Sequence, residues 1–100
     1  MTTYHLSIVT PQGKIFDNEI TSLSAPGSHG SLGVWARHTP LVASLKKGII
    51  KVNKDNNDIY YVIGSGILEI NQQHHCLILS DTAHLAENQT EAENKLHAPG

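Results

Sequence analysis

The stretch at residues 49–63, IIKVNKDNNDIYYVI, decides the fold class of this chain. Two short runs rich in Ile, Val and Tyr, at residues 49–52 and 59–63, flank a linker at residues 53–58 that consists entirely of Asn, Asp and Lys. β-Branched and aromatic residues favour strands, whereas Asn and Asp favour tight turns. The stretch therefore predicts a β-hairpin.

The same alternation of short apolar runs and polar turns covers most of the chain on either side. A proline and a glycine at residues 11–13 are typical of a tight connection between antiparallel strands. About eight to ten short strands, with a turn signal roughly every ten residues, favour an all-β fold, a flattened antiparallel β-sandwich. The further strands are predicted at residues 4–10, 14–16, 19–25, 32–35, 41–45, 67–70 and 76–79, with an interruption at residues 17 and 18.

The C-terminal part of the chain differs in character. After Thr82, β-branched and large apolar residues nearly disappear, so we expect residues 1–83 to form the β-sandwich domain and residues 84–100 a short helical or frayed tail. Thr90 and Glu93 have the spacing of a capping box, with Thr90 as the N-cap. So short a helix is marginal unless it docks onto the sandwich.

Charge and cysteine content exclude several classes of protein. The formal net charge is -2 and only Lys46 and Lys47 are adjacent, so the chain lacks the basic face of a nucleic-acid-binding protein. The single cysteine, Cys76, rules out an intrachain disulfide and fits a reducing compartment. Apolar runs fall short of the ~20 residues that cross a bilayer, and the N-terminus lacks a signal-peptide pattern. We therefore expect a cytosolic protein without direct membrane insertion.

Residues 25–41, APGSHGSLGVWARHTPL, form the least regular part of the chain. Their three glycines recur every third residue, which suits a backbone that turns through φ > 0 rather than a helix. A phosphate-binding loop needs Gly-Lys-Ser/Thr at the start of a helix, and this segment has neither. With Leu32 and Trp35 anchoring it to the sandwich, the segment is predicted to be a shaped contact surface.

Seven histidines raise two alternatives. One is a small cytosolic β-sandwich that binds a metal or ligand through His29, His38 or the adjacent His74 and His75. Consecutive strand residues point to opposite faces, so these two histidines and Cys76 do not all converge on one ion, and Cys76 is interpreted as a small core residue. The other alternative is an enzyme with His38 as base. It lacks a Gly-x-Ser-x-Gly elbow and an acid that would orient the imidazole.

Five motifs, in a fixed order, carry a resemblance to a known family. They are HLSIVTPQG with IF (residues 5–16), PGSHGSLGV with HTPL (26–41), LKKG (45–48), GSGILEI (64–70) and LSDTA (79–83). Together they resemble the epsilon subunit of the bacterial rotary ATP synthase (delta in mitochondria), and more narrowly its N-terminal β-sandwich domain. Each motif is weak alone, and the specificity lies in their order and spacing.

The resemblance implies a non-catalytic subunit of the rotor's central stalk that links the gamma subunit to the membrane c ring and couples proton flow to ATP synthesis. It implies no cofactor or metal, and a peripheral position at the cytoplasmic face of the bacterial inner membrane or an organelle's equivalent membrane. The residues implied to contact the c ring are Ser28, His29, Gly30, Ser31, Leu32 and Gly33, and those implied to contact gamma are Thr10, His38 and Ala43.

The chain departs from the family's pattern in three ways. His29 and Ser31 stand where many members have an acidic residue, so a salt bridge to a basic c-ring loop is not expected. Ala36 stands where members often have Pro, which predicts a less stiff segment. At about 1.5 Å per helical residue, the residues after Thr82 are too few for the family's two-helix C-terminal hairpin. We therefore expect neither inhibition by that hairpin nor an ATP site.

Overall fold

The computed structural model describes residues 2–97, and it confirms the all-β prediction. The strands are β1 Tyr4–Thr10, β2 Gly13–Ile20, β3 Ser22–Gly27, β4 Gly30–Trp35, β5 Leu41–Leu45, β6 Gly48–Lys54, β7 Asn57–Ile63, β8 Gly66–Ile70, β9 Cys76–Ser80 and β10 Ala83–Ala86, followed by helix α1 Gln89–His97. Within the described residues no helix is long and apolar enough to cross a membrane.

The hairpin predicted from residues 49–63 is formed by β6 and β7. Lys54 pairs with Asn57, so the turn has only two residues, Asp55 and Asn56. Their φ angles are +52° and +63°, in the left-handed region that Asn and Asp tolerate best. The dense Asn and Asp content of this linker therefore serves a tight hairpin turn.

The predicted interruption at residues 17 and 18 is wrong, because β2 runs through both of them. The side chain of Asp17 points across to β1, where Ser7 Oγ donates to it at 2.8 Å. The irregularity lies at Ile15 of the same strand: Ile8 pairs with Phe16, but Val9 pairs with Lys14, so Ile15 has no direct partner. This bulge absorbs an extra residue in the edge strand without ending the ladder.

The sheet continues beyond residue 83, since Ala83 is the first residue of β10. β10 pairs with β7 in an antiparallel ladder, so residues 84–86, which the sequence assigns to the tail, contribute to the sheet. Helix α1 packs on the outer surface of these strands through Ala92, which is fully buried, and Leu96.

Asn88, not Thr90, is the N-cap of α1, which corrects the capping-box prediction. The Oδ1 atom of Asn88 accepts from the backbone N–H of Glu91 at 2.8 Å, and its carbonyl accepts from Ala92 N–H at 3.0 Å. Both Thr90 and Asn88 are favourable N-cap residues, and the two-residue connection from β10 selects the earlier one.

Ten strands form one continuous sheet: nine follow the order β10-β7-β6-β3-β5-β8-β9-β1-β2, and β4 pairs with β3 outside this path. The ladders are antiparallel as predicted, except that β1 and β9 pair in parallel. β1 and β9 are far apart in the chain and are not joined by a hairpin turn. Their relative direction is therefore not set by a local connection. β3 and β5 share a single pair, Gly27 with Leu45, and we call the strands on either side of it, β10-β7-β6-β3-β4 and β5-β8-β9-β1-β2, the two halves of the sandwich.

The registers define two ends of the sandwich. Leu45, Gly66 and Ser80 lie side by side on β5, β8 and β9, and Thr10 lies beside Ser80 because Val9 pairs with the preceding residue. We call this the tip end, which carries the turns at residues 11–12, 28–29, 46–47, 64–65 and 81–82. The far end carries the segments at residues 36–40, 55–56 and 71–75.

Alternate residues of the strands fill a core between the two halves. On β1, Leu6 and Ile8 are fully buried while His5, Ser7 and Val9 lie on the outer side, as the period-two pattern predicts. Cys76 is buried in the same cluster, and burial raises the pKa of its thiol to about 12. It is therefore a neutral core residue, as predicted.

Candidate contact surface at the β3–β4 hairpin

The segment at residues 25–41 folds mainly as a hairpin whose tip is tied to β5. Gly27 pairs with Gly30, so Ser28 and His29 form its turn. The N–H of Ser28 donates to the Ser44 carbonyl at 3.0 Å, and the Ser44 hydroxyl donates to the Ser28 hydroxyl at 2.9 Å. These bonds fix the position of a turn that is otherwise exposed to solvent.

The three glycines of the hairpin have different roles, so the prediction that they all serve φ > 0 is wrong. Only Gly30 has a positive φ, +132°. Gly27 is needed for close approach, because a Cβ at this position would lie 2.4 Å from the backbone oxygen of Gly30. Gly33 makes room for Trp35, because a Cβ there would lie 2.6 Å from the indole ring.

Trp35 does not anchor the hairpin, contrary to the prediction. Its side chain is 64% exposed and lies over Gly33 on the outer surface of β4. Leu32 is half-buried and packs against the main core, as expected. Val34 is fully buried, and its carbonyl accepts a 2.7 Å hydrogen bond from the Tyr4 hydroxyl. The inward residues of β4 therefore provide the attachment.

The hairpin tip and β5 enclose an open depression of about 400 Å³. Its wall combines backbone groups, hydroxyls and an imidazole on one side with the apolar Val42 on the other. The structure brings all six predicted c-ring contacts together here, with Ala43 beside them. The lining residues are Gly27, Ser28, His29, Gly30, Ser31, Leu32, Val42, Ala43 and Ser44. A shallow, mixed surface of this kind suits contact with another protein.

The three predicted gamma contacts do not form one cluster. Thr10 lies at the tip end, where its side chain is buried and hydrogen-bonded to Gln12 at 3.2 Å. Ala43 lies in the middle of β5, half-buried. His38 lies at the far end, where Nδ1 of His74 donates to its carbonyl at 3.0 Å. Any one partner touching all three positions must extend along most of the sandwich.

The sequence analysis missed an outward apolar patch formed by one residue from each of β5, β8 and β9. Val42 on β5, Ile67 on β8 and Leu79 on β9 are 69%, 46% and 45% exposed. Ile67 pairs directly with Leu79, and Val42 is its diagonal neighbour. The sequence signal was present, since each of these strands has large apolar residues on both faces. It is only the register that places the outward ones side by side.

Four of the seven histidines, His5, His38, His74 and His75, lie at the far end, but they do not form a metal site. The rings of His5 and His75 lie 5.8 Å apart, and both nitrogens of His5 face carboxylates, Asp17 at 2.5 Å and Glu19 at 3.2 Å. His29 lies in the hairpin turn at the tip end. Among residues 2–97, no three His, Cys, Asp or Glu side chains are grouped so that they would hold a metal ion.

Comparison with known proteins identifies the family. The profile described as ATP synthase, Delta/Epsilon chain, beta-sandwich domain, matches residues 3–86. The chain is 36% identical over 85 residues to the ATP synthase epsilon chain of Pelotomaculum thermopropionicum, which covers 85% of this chain and 63% of that protein. It is 38% identical over 92 residues to that of Nitrosococcus oceani, covering 90% and 64%. The chain thus spans somewhat less than two thirds of these relatives.

Solved structures support the fold. A chain of the Euglena gracilis mitochondrial ATP synthase (OSCP/F1/c-ring) superimposes with a TM-score of 0.81 and 22% identity, covering 95% of this chain and 61% of that one. A chain of the Tetrahymena thermophila mitochondrial ATP synthase (central stalk/c-ring) gives 0.72 and 13%, covering 83% and 66%. At these identities the likeness shows the fold alone. Because the profile spans the sandwich from β1 to β10, the chain belongs to the delta/epsilon chain β-sandwich family of ATP synthase.

Proposed function

We propose that this protein is a non-catalytic subunit of an ATP synthase central stalk. It links the gamma subunit to the c ring of the membrane sector and couples proton flow to ATP synthesis. The observation that carries the proposal is the family match over residues 3–86, which includes every strand of the sandwich. The subunit works by contact, and its position at the membrane is peripheral, on the cytoplasmic face of a bacterial inner membrane or the equivalent membrane of an organelle.

The hairpin tip is the proposed c-ring contact. Ser28, His29 and Ser31 are exposed, and two hydrogen bonds hold the tip to β5: Ser28 N–H donates to the Ser44 carbonyl, and the Ser44 hydroxyl donates to the Ser28 hydroxyl. A contact that transmits torque needs a surface that does not yield, and hydrogen-bonded strands provide it better than a free loop. The depression beside the tip gives the contact its shape.

The outward apolar patch is the proposed centre of the gamma contact. Three exposed apolar side chains on neighbouring strands, Val42, Ile67 and Leu79, are typical of a protein interface rather than of a free surface. Ala43 lies next to this patch in the chain, whereas Thr10 and His38 lie toward opposite ends of the sandwich. Because the side chain of Thr10 is buried, gamma would contact the exposed Gln12 in the neighbouring turn instead.

Co-purification with the gamma subunit tests the proposal. The double variant I67D/L79D places two charges in the patch, outside the depression that Val42 also lines, and should abolish capture by tagged gamma. The matched control is L85D, since Leu85 is also exposed, at 59%, but lies on β10. The wild-type chain should also restore ATP-driven proton pumping to membranes that lack the subunit. Failure of the wild type both to bind gamma and to restore pumping would refute the proposal.

A further inference from the structure

A small cleft at the far end of the sandwich collects one arginine and three histidines. Arg37 lines it from the segment that follows β4. His74 and His75 line it from the turn between β8 and β9, and His5 lines it from β1. The volume of the cleft is about 220 Å³. This is below the range of roughly 300–1,000 Å³ that is typical of sites for larger organic ligands, so the cleft suits a small ion.

Two of these residues have a backbone conformation that few side chains adopt. The φ angle is +65° at Arg37 and +63° at His74, both in the left-handed region. Asn, Asp and His are enriched in this region, whereas an arginine is uncommon there. A glycine would adopt it without strain. Strained positions of this kind cluster at active sites and ligand-binding segments, so the presence of an arginine here indicates a role for its guanidinium.

Hydrogen bonds hold the two sides of the cleft together. The Oδ1 atom of Asn71 accepts from the backbone N–H of Gln73 at 2.9 Å and from that of His75 at 3.1 Å, which fixes the turn. Nδ1 of His74 donates to the His38 carbonyl at 3.0 Å and ties this turn to the segment after β4. The cleft is therefore formed before a ligand arrives, which lowers the entropic cost of binding.

The charge of Arg37 is not offset by the protein itself. Within residues 2–97 its guanidinium makes no ion pair with a carboxylate. Glu19 supplies the one carboxylate among the described residues that line the cleft, and both its oxygens have partners. Its Oε1 accepts from the Thr3 hydroxyl at 3.1 Å, and its Oε2 lies 3.2 Å from Nδ1 of His5. Asp17 lies on the other nitrogen of the same imidazole. The guanidinium is therefore available to an anion from solution.

We infer that this cleft binds a small oxyanion of the phosphate type. A guanidinium presents its N–H groups as a planar fork that matches two oxygens of a phosphate. The exposed ring of His75 can donate to a third oxygen in its neutral form. Nδ1 of His74 is already used, so its Nε2 adds a donor when that ring is protonated. The ligand contacts all come from the two loops that the hydrogen bonds hold together.

NMR titration of the full chain with inorganic phosphate tests this inference. Sodium chloride keeps the ionic strength constant, so that general screening does not change. The amide signals of Arg37 and His75 should shift and reach saturation. R37G removes the guanidinium and suits the φ of +65°, so it stays folded and should bind phosphate about tenfold or more weakly. H75A should weaken binding about fivefold, the effect of one lost hydrogen bond.

The matched control is K47Q, which changes the net charge as R37G does but at the exposed Lys47 of the tip end. It should bind phosphate like the wild type. Near-ultraviolet circular dichroism confirms that the variants are folded. Shifts that stay linear in phosphate concentration, or saturable binding that R37G retains, would overturn the inference. The titration uses the chain without gamma or the c ring, so either result leaves the proposed function intact.

Discussion

His5 joins β1 to the edge strand β2 through two carboxylates. The hydrogen bond to Asp17, opposed in part by desolvation and supported by Glu19, raises the pKa of His5 above its ordinary 6.5. Hydrogen bonds from Ser7 and then from His5 and Lys14 lower the pKa of Asp17 to about 2. When His5 is protonated, each of its nitrogens donates to a carboxylate. This arrangement is solvent-exposed, so it adjusts the stability of an edge rather than determining the fold.

The raised pKa of His5 and the lowered pKa of Asp17 predict how the stability of this edge depends on pH. Because the folded-state pKa of His5 is raised, its contribution is fully present below 6.5 and is lost as the pH rises through the raised value. Because that of Asp17 is lowered, its contribution is present above 3.8 and is lost as the pH falls toward 2. Their joint contribution is therefore largest between these ordinary values.

NMR titration of the His5 ring measures this effect directly. D17N should lower the pKa of His5, whereas E69Q, which removes a carboxylate from the outer face of β8, should leave it unchanged. A His5 that titrates at or below 6.5 in the wild type would contradict the account of this cluster.

Two glycines of the hairpin should respond differently to alanine. In G27A the new Cβ meets a backbone oxygen, which cannot move without breaking the β3–β4 ladder. We expect a loss of about 2 kcal/mol or more. In G33A the new Cβ meets the end of an exposed side chain, so the Trp35 ring swings into solvent at a cost below about 1 kcal/mol.

Urea unfolding and fluorescence distinguish these cases. Trp35 is the only tryptophan, so its emission reports on the hairpin alone. G33A should change the native emission with little change in unfolding midpoint, and G27A should lower the midpoint. Equal destabilisation by both substitutions would show that the Trp35 ring is held more firmly than its exposure indicates.

At the scale of the element, the start of α1 depends on Asn88. N88A removes the side chain that accepts from Glu91 N–H, and such a loss typically costs about 1 kcal/mol. The amide hydrogens of Glu91 and Ala92 should then exchange faster. T90A is the matched control, because Thr90 lies inside the helix and should not affect their exchange. Faster exchange in T90A but not in N88A would show that Thr90, not Asn88, is the N-cap of α1.

The strands could be predicted where local pattern and pairing agree. The Asn-rich turn at Asp55 and Asn56 and the alternation along β1 are local features, and the structure confirms both. β10 and the continuity of β2 depend on a neighbouring strand, because AHLA and the segment around Asp17 have weak strand propensity of their own. Local sequence does not contain that information.

The proposed contact surfaces also differ in how far local sequence could predict them. The family resemblance implied the six c-ring contact residues of the hairpin. They are consecutive in the chain, so they are also neighbours in space. The apolar patch joins residues from three strands, so it emerges only from the register. The outward position of Trp35 depends on the space left by Gly33, which no periodicity reveals.

The molecule as a whole offers different surfaces to its two proposed partners. In the proposed function the tip end, with the hairpin, would contact the c ring, and the outward patch of β5, β8 and β9 would contact gamma. A sheet joined through ten strands connects the two surfaces without a flexible linker. In that arrangement, force applied at one surface would reach the other through hydrogen-bonded strands.

Photo-crosslinking in the assembled enzyme tests this arrangement most directly. A photoreactive amino acid is placed at His29 on the tip end or at Gln72 on the far end, both exposed, and the captured subunit is identified by mass spectrometry. We expect the His29 position to capture subunit c and the Gln72 position not to capture it. Capture of subunit c from Gln72 but not from His29 would contradict it.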